Sequence, residues 1–177
     1  MLPISSKIIL PKKNEPGSFG CVRKFDVHTG VDLYCSLHEP VYAIEDGIII
    51  GVGHFTGYEE SPWWNDTDYI LIRGKSGCIL YGEIQVSAHL VHGAEGDSVK
   101  AGDFLGQVVP VLKKDKGRPL NMLHIELYDG SYTGSGVVWK LNETKPKELK
   151  DITPILKREI FKNKPIIKNI LHYAGIK

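Results

Sequence analysis

The sequence is poor in cysteine, which excludes two common kinds of small domain. Only three of its 177 residues are cysteines, Cys21, Cys35 and Cys78. They are odd in number, widely spaced and without a C-x-x-C pair, so neither a disulfide scaffold nor a cysteine-rich zinc finger is expected. Free, buried thiols are the simplest expectation, and one bridge with a leftover thiol is the alternative.

Long apolar runs are also missing. The longest, such as residues 48–50, are far shorter than the about 20 residues of a membrane-spanning helix, so we expect no transmembrane segment. Residues 1–7 lack a positively charged segment followed by an apolar run, and we expect no signal peptide in the given sequence. The compartment stays open, because a leader outside this sequence would also fit.

The chain has no large excess of charge of either sign. Its formal net charge is +1, and its 42% hydrophobic and 24% charged residues are typical of a single globular domain. We therefore expect no nucleic-acid partner, and nothing in the sequence predicts an oligomeric state. Residues 140–177 are basic, with ten Lys or Arg against four Asp or Glu. We interpret this end as a solvated helix face, with an anionic partner as the alternative.

Short apolar or alternating runs separated by glycine-bearing turns predict a mostly β fold. We expect strands near residues 41–44, 48–52, 69–73, 78–84, 104–109 and 122–128. Because no helical periods intervene, these strands should form an antiparallel sheet or sandwich with a central groove, not a βαβ fold. The polar segment 53–68 is predicted to be a long loop.

The character of the chain changes near its C-terminal end. Pro154 and Pro165 punctuate two helix-like segments. The second has an apolar stripe, formed by Ile166, Ile167, Ile170 and Leu171. We therefore predict a β domain over residues 1–156, with its core at about 25–156, and a short basic helical extension over 157–177 packed on the same domain.

An H-x-x-x-D motif offers two metal ligands, His28 and Asp32. On a helix the two side chains would share a face, but here Gly30 sits between β-branched Thr29 and Val31. That arrangement predicts a turn between two extended segments, from which both side chains can converge on one ion. The motif alone occurs by chance too often to define a site.

A second histidine comes from the last predicted strand. The two-residue alternation of a strand places Met122, His124 and Glu126 on one face and aliphatic residues on the other. Two histidines and one aspartate on rigid β-type backbone form a suitable ligand set for one Zn²⁺, with the fourth position left for water. The sequence therefore predicts a metal site formed by His28, Asp32 and His124, with zinc favoured by the ligand set and Fe, Mn or Ni as alternatives.

The order and spacing of these motifs resemble the lysostaphin-type zinc metallopeptidases, over about residues 25–156. The resemblance rests on H-x-G-x-D-L at 28–33, Gly-Asp-Ser-Val-Lys-Ala-Gly-Asp-Phe-Leu-Gly at 96–106, x-L-H-I-E-L at 122–127 and Asp-Ile-Thr-Pro at 151–154. It implies that zinc is held by His28, Asp32 and His124. It also implies that the substrates are peptides or peptidoglycan cross-bridges.

The sequence departs from that family at two positions. The family's two accessory histidines, which assist the attacking water and stabilise the oxyanion, correspond to Glu83 and Met122. A thioether can neither take a proton nor donate a hydrogen bond, whereas a carboxylate is a workable general base. Glu83 is therefore the candidate general base. A second donor would have to come from elsewhere, and the candidates are Tyr81, His38, His89 and His92.

Two further interpretations stay open beside hydrolysis. One is a catalytically inactive zinc-binding module of the same fold that holds a peptide or glycan in its groove, and the orientation of Glu83 separates it from an enzyme. The other is a carrier domain, because residues 96–103 also resemble hairpins of lipoyl- and biotinyl-carrier domains. The chain has no Met-Lys-Met or Asp-Lys-Ala, so that similarity concerns the fold only.

The side chains expected to line the substrate groove come from two places. Trp63 and Trp64 lie in the predicted long loop and could stack on a ligand. Met122 and Glu126 share the strand face of His124.

Overall fold

The computed structural model describes residues 1–91, 94–114 and 120–163. Its strands are β1 (Asp26–Val27), β2 (Val31–Tyr34), β3 (Pro40–Tyr42), β4 (Gly47–Thr56), β5 (Thr67–Gly74), β6 (Gly77–Val86), β7 (Ser98–Val99), β8 (Phe104–Val108), β9 (Met122–Tyr128), β10 (Trp139–Lys140) and β11 (Leu149–Lys150). Its helices are α1 (Ala88–Val91) and α2 (Thr153–Lys162).

Nine of the described strands form one antiparallel sheet. Its main path runs in the order β11, β9, β6, β5, β4 and β7. β2 pairs with residues 122–125 of β9. β8 pairs with β3 on one edge and with residues 84–86 of β6 on the other. β1 and β10 form a separate two-stranded ribbon. The predicted mostly antiparallel β fold with a short C-terminal helix is confirmed.

The sheet buries apolar side chains on both faces. In β5, Ile70 and Ile72 point into the main core, whereas Leu71 packs in a second cluster on the opposite face. In β6 the same alternation sends Ile79 to the main core and Leu80 to the second cluster. Because both faces are covered, these strands have nearly continuous apolar runs in the sequence.

The loop predicted over residues 53–68 is shorter than expected. β4 continues to Thr56 and β5 begins at Thr67, so the connection comprises residues 57–66. Across the extended ladder the hydroxyls of Thr56 and Thr67 lie 2.7 Å apart. This end of the hairpin leaves much of its surface to solvent, so its polar residues gave no strand-like apolar pattern.

Helix α2 closes the main core. Pro154 stands in its first turn, where a missing N–H costs no helical hydrogen bond, and Asp151 Oδ1 accepts the backbone N–H of Thr153 at 2.8 Å. Ile155 and Leu156 are buried in the main core. The helix runs continuously past residue 156, where the sequence suggested that the β domain ends.

Some sequence predictions fall where the structure describes little. The second helical segment, with the apolar stripe from Ile166 to Leu171, and also His92 lie outside the described residues.

The three cysteines are free thiols. Over the residues that are described, no helix has the length and apolar character needed to cross a membrane.

Candidate metal centre

Two strands and one turn bring the predicted ligands together. β2 pairs with β9 in a register that sets Asp32 directly opposite His124. On the other edge of β9, His124 is paired with Gly82 of β6. His28 lies in the turn between β1 and β2. All three candidate ligands are buried, so the surrounding fold fixes their positions.

The three donor atoms form a compact triangle. His28 Nε2 lies 3.0 Å from Asp32 Oδ1, His124 Nδ1 lies 2.8 Å from the same oxygen, and the two nitrogens are 3.2 Å apart. Tetrahedral zinc with bonds of about 2.0–2.2 Å needs ligand atoms roughly 3.3–3.6 Å apart. Small outward shifts would therefore accommodate the ion. No other cluster of this kind occurs in the described parts of the chain.

The second ring nitrogen of each histidine has a partner that fixes the ring. His28 Nδ1 donates to the carbonyl oxygen of Ser18 at 3.0 Å, and His124 Nε2 donates to Glu126 Oε1 at 3.0 Å. Glu126 in turn accepts a hydrogen bond from the hydroxyl of Tyr128. These contacts leave His28 Nε2 and His124 Nδ1 to offer lone pairs to one ion, which is the arrangement of metal-binding histidines in general.

Charge inside the site favours a cation. Burial would lower the pKa of His124, but its hydrogen bonds to Asp32 and Glu126 outweigh burial and raise that pKa to about 10. Burial would raise the pKa of Asp32, but hydrogen bonds from His124 and His28 hold it far below its usual value. A metal ion would therefore replace a proton on His124, so metal binding should release protons.

The carboxylate of Asp32 is held from two sides. Its Oδ1 belongs to the donor triangle, and its Oδ2 accepts a hydrogen bond from Arg23 Nη2 at 2.9 Å. The backbone N–H of Asp32 donates to the carbonyl oxygen of Gly17 at 2.8 Å. The carboxylate is therefore oriented to offer a single oxygen to a metal ion.

Glu83 lies at a bulge in β6. Its φ of 61° is in the left-handed region, which is uncommon for a residue with a long side chain. The register with β5 shifts here, since Asp68 pairs with Ile84 and Tyr69 with Gly82. Glu83 is thus an extra residue without a partner on β5, and bulges of this kind redirect side chains, often beside active sites.

The carboxylate of Glu83 lines the same cavity as the donor triangle. Its Oε2 is buried and has no hydrogen-bond partner within the described residues. Burial raises the pKa of Glu83 to about 7, although the nearby His124 opposes the shift. An unpaired buried carboxylate oxygen costs folding free energy, so its presence calls for a functional explanation.

A cavity of about 350 Å³ opens beside the triangle. Phe55 of β4 forms part of its wall, with its ring centroid 5.6 Å from that of His124. Trp64 and residues 135–139 border other sides. Phe55 and residues 135–139 were missed by the sequence analysis, because their contact with the site depends on the pairing of distant strands.

The other sequence-predicted residues fall into two groups. Trp64 and Glu126 line the cavity, whereas Trp63 is exposed and Met122 is not part of the cavity wall. Tyr81 is buried in the main core, where its hydroxyl accepts the backbone N–H of Ile44 at 2.9 Å.

Two of the candidate histidine donors, His38 and His89, also lie away from the metal centre. His89 is in α1 and its Nδ1 lies 2.8 Å from the hydroxyl of Ser87, while His38 stands in the turn before β3. Neither residue borders the cavity. The geometry therefore does not support Tyr81, His38 or His89 as the second donor.

The sheet and the donor triangle define an antiparallel β protein with a His₂Asp ligand set, suited to one metal ion, beside an open cavity. The family model of Peptidase family M23 matches residues 26–135. The chain belongs to this family.

Solved structures with a similar fold include LytU and lysostaphin. LytU is 16% identical with a TM-score of 0.50, over 89% of this chain and 86% of its own. The catalytic domain of the antimicrobial peptidase lysostaphin from Staphylococcus simulans is 22% identical with a TM-score of 0.47, over 74% of this chain and 80% of that domain.

Lysostaphin in solution gives 22% identity and a TM-score of 0.46, over 75% of this chain. The match spans 44% of that lysostaphin chain. At these identities the similarity concerns the fold alone. No curated protein matches.

Proposed function

We propose that this chain is a zinc-dependent peptidase that hydrolyses amide bonds in peptides or peptidoglycan cross-bridges, with Glu83 as its general base. The observation that carries the proposal is the buried, unpaired Oε2 of Glu83 in the same cavity as the donor triangle. A base and a metal site that share one cavity are the minimum set for metal-assisted hydrolysis.

The donor set supports zinc as the resident metal. Two imidazoles and one carboxylate are the usual ligands of catalytic zinc, and three protein ligands leave a fourth position open. The carbonyl of Ser18 and the carboxylate of Glu126 give both rings the required tautomer. Zinc bound there would polarise the scissile carbonyl and make water more acidic.

The residues of the chain would then divide the remaining work. Glu83 accepts a proton from the attacking water and returns it to the departing nitrogen, so that the nitrogen leaves as an amine and not as an anion. Glu126 holds the imidazole of His124 in place by accepting a hydrogen bond from its Nε2. Phe55 and Trp64 form walls that limit the access of bulk water to the cavity.

Family membership and the fold of the neighbours support the substrate class. The chain belongs to a peptidase family, and one structural neighbour is described as an antimicrobial peptidase. A bacterial wall polymer cross-linked by peptides is therefore the first substrate to assay.

A second candidate function is a zinc-binding module that holds a peptide or glycan without cleaving it. One observation favours it: within the described residues, the cavity wall contains no histidine besides His28 and His124. The family's accessory histidines are thus not replaced by other histidines in space. This candidate requires Glu83 to be dispensable.

Hydrolysis of purified peptidoglycan tests the proposed function. We expect the zinc-loaded protein to release new amino groups, and chelation followed by Zn²⁺ addition to abolish and restore that release, because the metal activates both water and carbonyl. Asp32→Asn should be inactive and the exposed Asp97→Asn should match the wild type. A wild type that holds zinc and releases no amino groups would contradict the proposal.

A further inference from the structure

We propose that Arg23 is a second catalytic residue, which donates hydrogen bonds to the oxyanion that forms when water adds to the scissile carbonyl. The inference rests on the proposed function. It identifies a donor for a reaction in which Met122, at the position of a family histidine, cannot serve. The sequence analysis gave no signal for Arg23, since it belongs to none of the recognised motifs.

The backbone before β1 delivers Arg23 to the cavity. Its N–H donates to the carbonyl oxygen of Asp26 at 2.8 Å, which closes a tight turn directly before the strand. The side chain then reaches Asp32, with Nη2 2.9 Å from Oδ2, and lines the same cavity as Glu83. One hydrogen bond therefore anchors the guanidinium beside a metal ligand.

The anchored guanidinium has further N–H donors. A guanidinium carries five N–H groups in a planar fork, and within the described residues this side chain makes one hydrogen bond, to Asp32. With 41% of the side chain exposed, the remaining N–H groups are accessible to a ligand. Arg23 can therefore bind an anion with its remaining N–H groups while it keeps the hydrogen bond to Asp32.

The alternative donors in the cavity wall are weaker or already engaged. Among the described residues, Arg23 is the only Lys or Arg that lines the cavity. The indole N–H of Trp139 is engaged, since it donates to the carbonyl oxygen of Glu143 at 3.1 Å, and the hydroxyl of Thr29 is a neutral donor. Hydrogen bonds from a cation to an oxyanion are roughly twice as strong as those between neutral groups. Arg23 is thus the best-suited donor.

The proposed reaction needs no proton acceptor or donor other than Glu83. The water oxygen bonds to the carbonyl carbon as one of its protons passes to Glu83. The carbonyl π electrons move onto the carbonyl oxygen, which then accepts hydrogen bonds from Arg23. The carbon–nitrogen bond then breaks as the proton returns from Glu83 to the amine. Arg23 takes no part in the proton transfers and acts only as a hydrogen-bond donor. Its contribution is electrostatic and is greatest when charge has developed on the oxygen.

Two measurements on the zinc-loaded protein test this role, using Arg23→Gln, Arg23→Lys and the neighbouring Lys24→Gln as a matched control. Lys24 is exposed and stacks over Phe25, so its loss removes one positive charge without touching the cavity. The first measurement is calorimetric binding of inorganic phosphate, a tetrahedral anion that resembles the intermediate. The second is the kinetics of hydrolysis of soluble peptidoglycan fragments.

We expect Arg23→Gln to weaken phosphate binding at least tenfold and to lower kcat about 10²–10³-fold with KM within twofold, while zinc content is unchanged. Arg23→Lys should recover part of both losses, since it keeps the charge but not the fork, and Lys24→Gln should behave as the wild type. The melting temperature of each variant shows whether it folds. If Arg23→Gln does not fold, the comparison of Arg23→Lys with the wild type tests the inference.

Two results would overturn the inference. If Arg23→Gln binds phosphate as tightly as the wild type, Arg23 does not contact the anion. If the variant loses zinc, and its lower kcat is fully restored at saturating Zn²⁺, Arg23 acts only by positioning Asp32. The phosphate measurement does not depend on turnover, so a failure of the proposed function, seen as a wild type without hydrolysis, stays distinguishable from a failure of Arg23.

Discussion

Glu83→Gln is expected to lower the rate of peptidoglycan hydrolysis by about 10²–10⁴-fold while leaving zinc content unchanged. The amide has the same shape as the carboxylate but cannot accept a proton from water. Glu83 is not one of the three donors of the triangle, so its substitution leaves the metal ligands intact. The measurements are kcat on soluble peptidoglycan fragments and zinc per chain by mass spectrometry.

Glu83→Gln leaves the unusual backbone conformation at this position unchanged. Glutamine at this position has the same φ requirement as glutamate, so both proteins carry the same strain at the bulge. The exposed Glu59→Gln is the matched control, and it should retain the wild-type rate. Equal rates for Glu83→Gln and the wild type would remove Glu83 from the mechanism. If the wild type also lacks turnover, the binding module becomes the better account.

Gly30→Ala is expected to disrupt the metal centre from the backbone side. A Cβ at this position would lie 2.6 Å from the carbonyl oxygen of Ile125 and 2.8 Å from both Nε2 and Cε1 of His124. Because β2 and β9 are paired here, the strain forces either the ladder or the His124 ring to move. We expect a loss of about 1–3 kcal/mol in the free energy of unfolding.

The same substitution should weaken zinc binding, since displacement of the His124 ring also breaks its contact with Glu126. Denaturant unfolding and a competitive zinc titration measure the two effects. Gly130→Ala is the matched control, because nothing lies within 4 Å of a Cβ built there. If Gly30→Ala binds zinc and unfolds like Gly130→Ala, the close packing of the turn against β9 is not needed for the site.

The strands and the candidate metal ligands were within reach of sequence reasoning because both depend on local pattern. Alternation in β9 separates Leu123 and Ile125, which are buried in the main core, from His124 and Glu126 on the other face. Strand β9 has the bounds predicted from the sequence. Glycine turns also located β5 and β6 to within a few residues.

The orientation of Glu83 could not be predicted, because it depends on a bulge. Glu83 became a candidate through the family resemblance and Tyr81 as a possible second donor, and regular alternation would set both on one face. In the structure Tyr81 faces the main core, while Gly82 is paired with His124 and Glu83 borders the cavity. The left-handed φ at Glu83 breaks the two-residue period, and glutamate gives no sequence signal for that conformation.

Arg23 and Phe55 were missed for a different reason. Phe55 borders the cavity through contact with the distant His124, and Arg23 does so through its side-chain hydrogen bond to Asp32. Neither residue belongs to a motif with a chemical signature. Glu126 was predicted as a groove residue from its strand face. It does border the cavity, but its hydrogen bond to His124 gives it a second role that depends on the ring orientation of that histidine.

The central claim is that His28, Asp32 and His124 hold one zinc ion, and metal content tests it most directly. Mass spectrometry of untagged wild type, His124→Ala and the exposed His54→Ala gives zinc per chain. The account predicts about one zinc in the wild type and in His54→Ala, and none in His124→Ala. A wild type without zinc even after Zn²⁺ is supplied, or a His124→Ala variant that keeps it, would contradict the account.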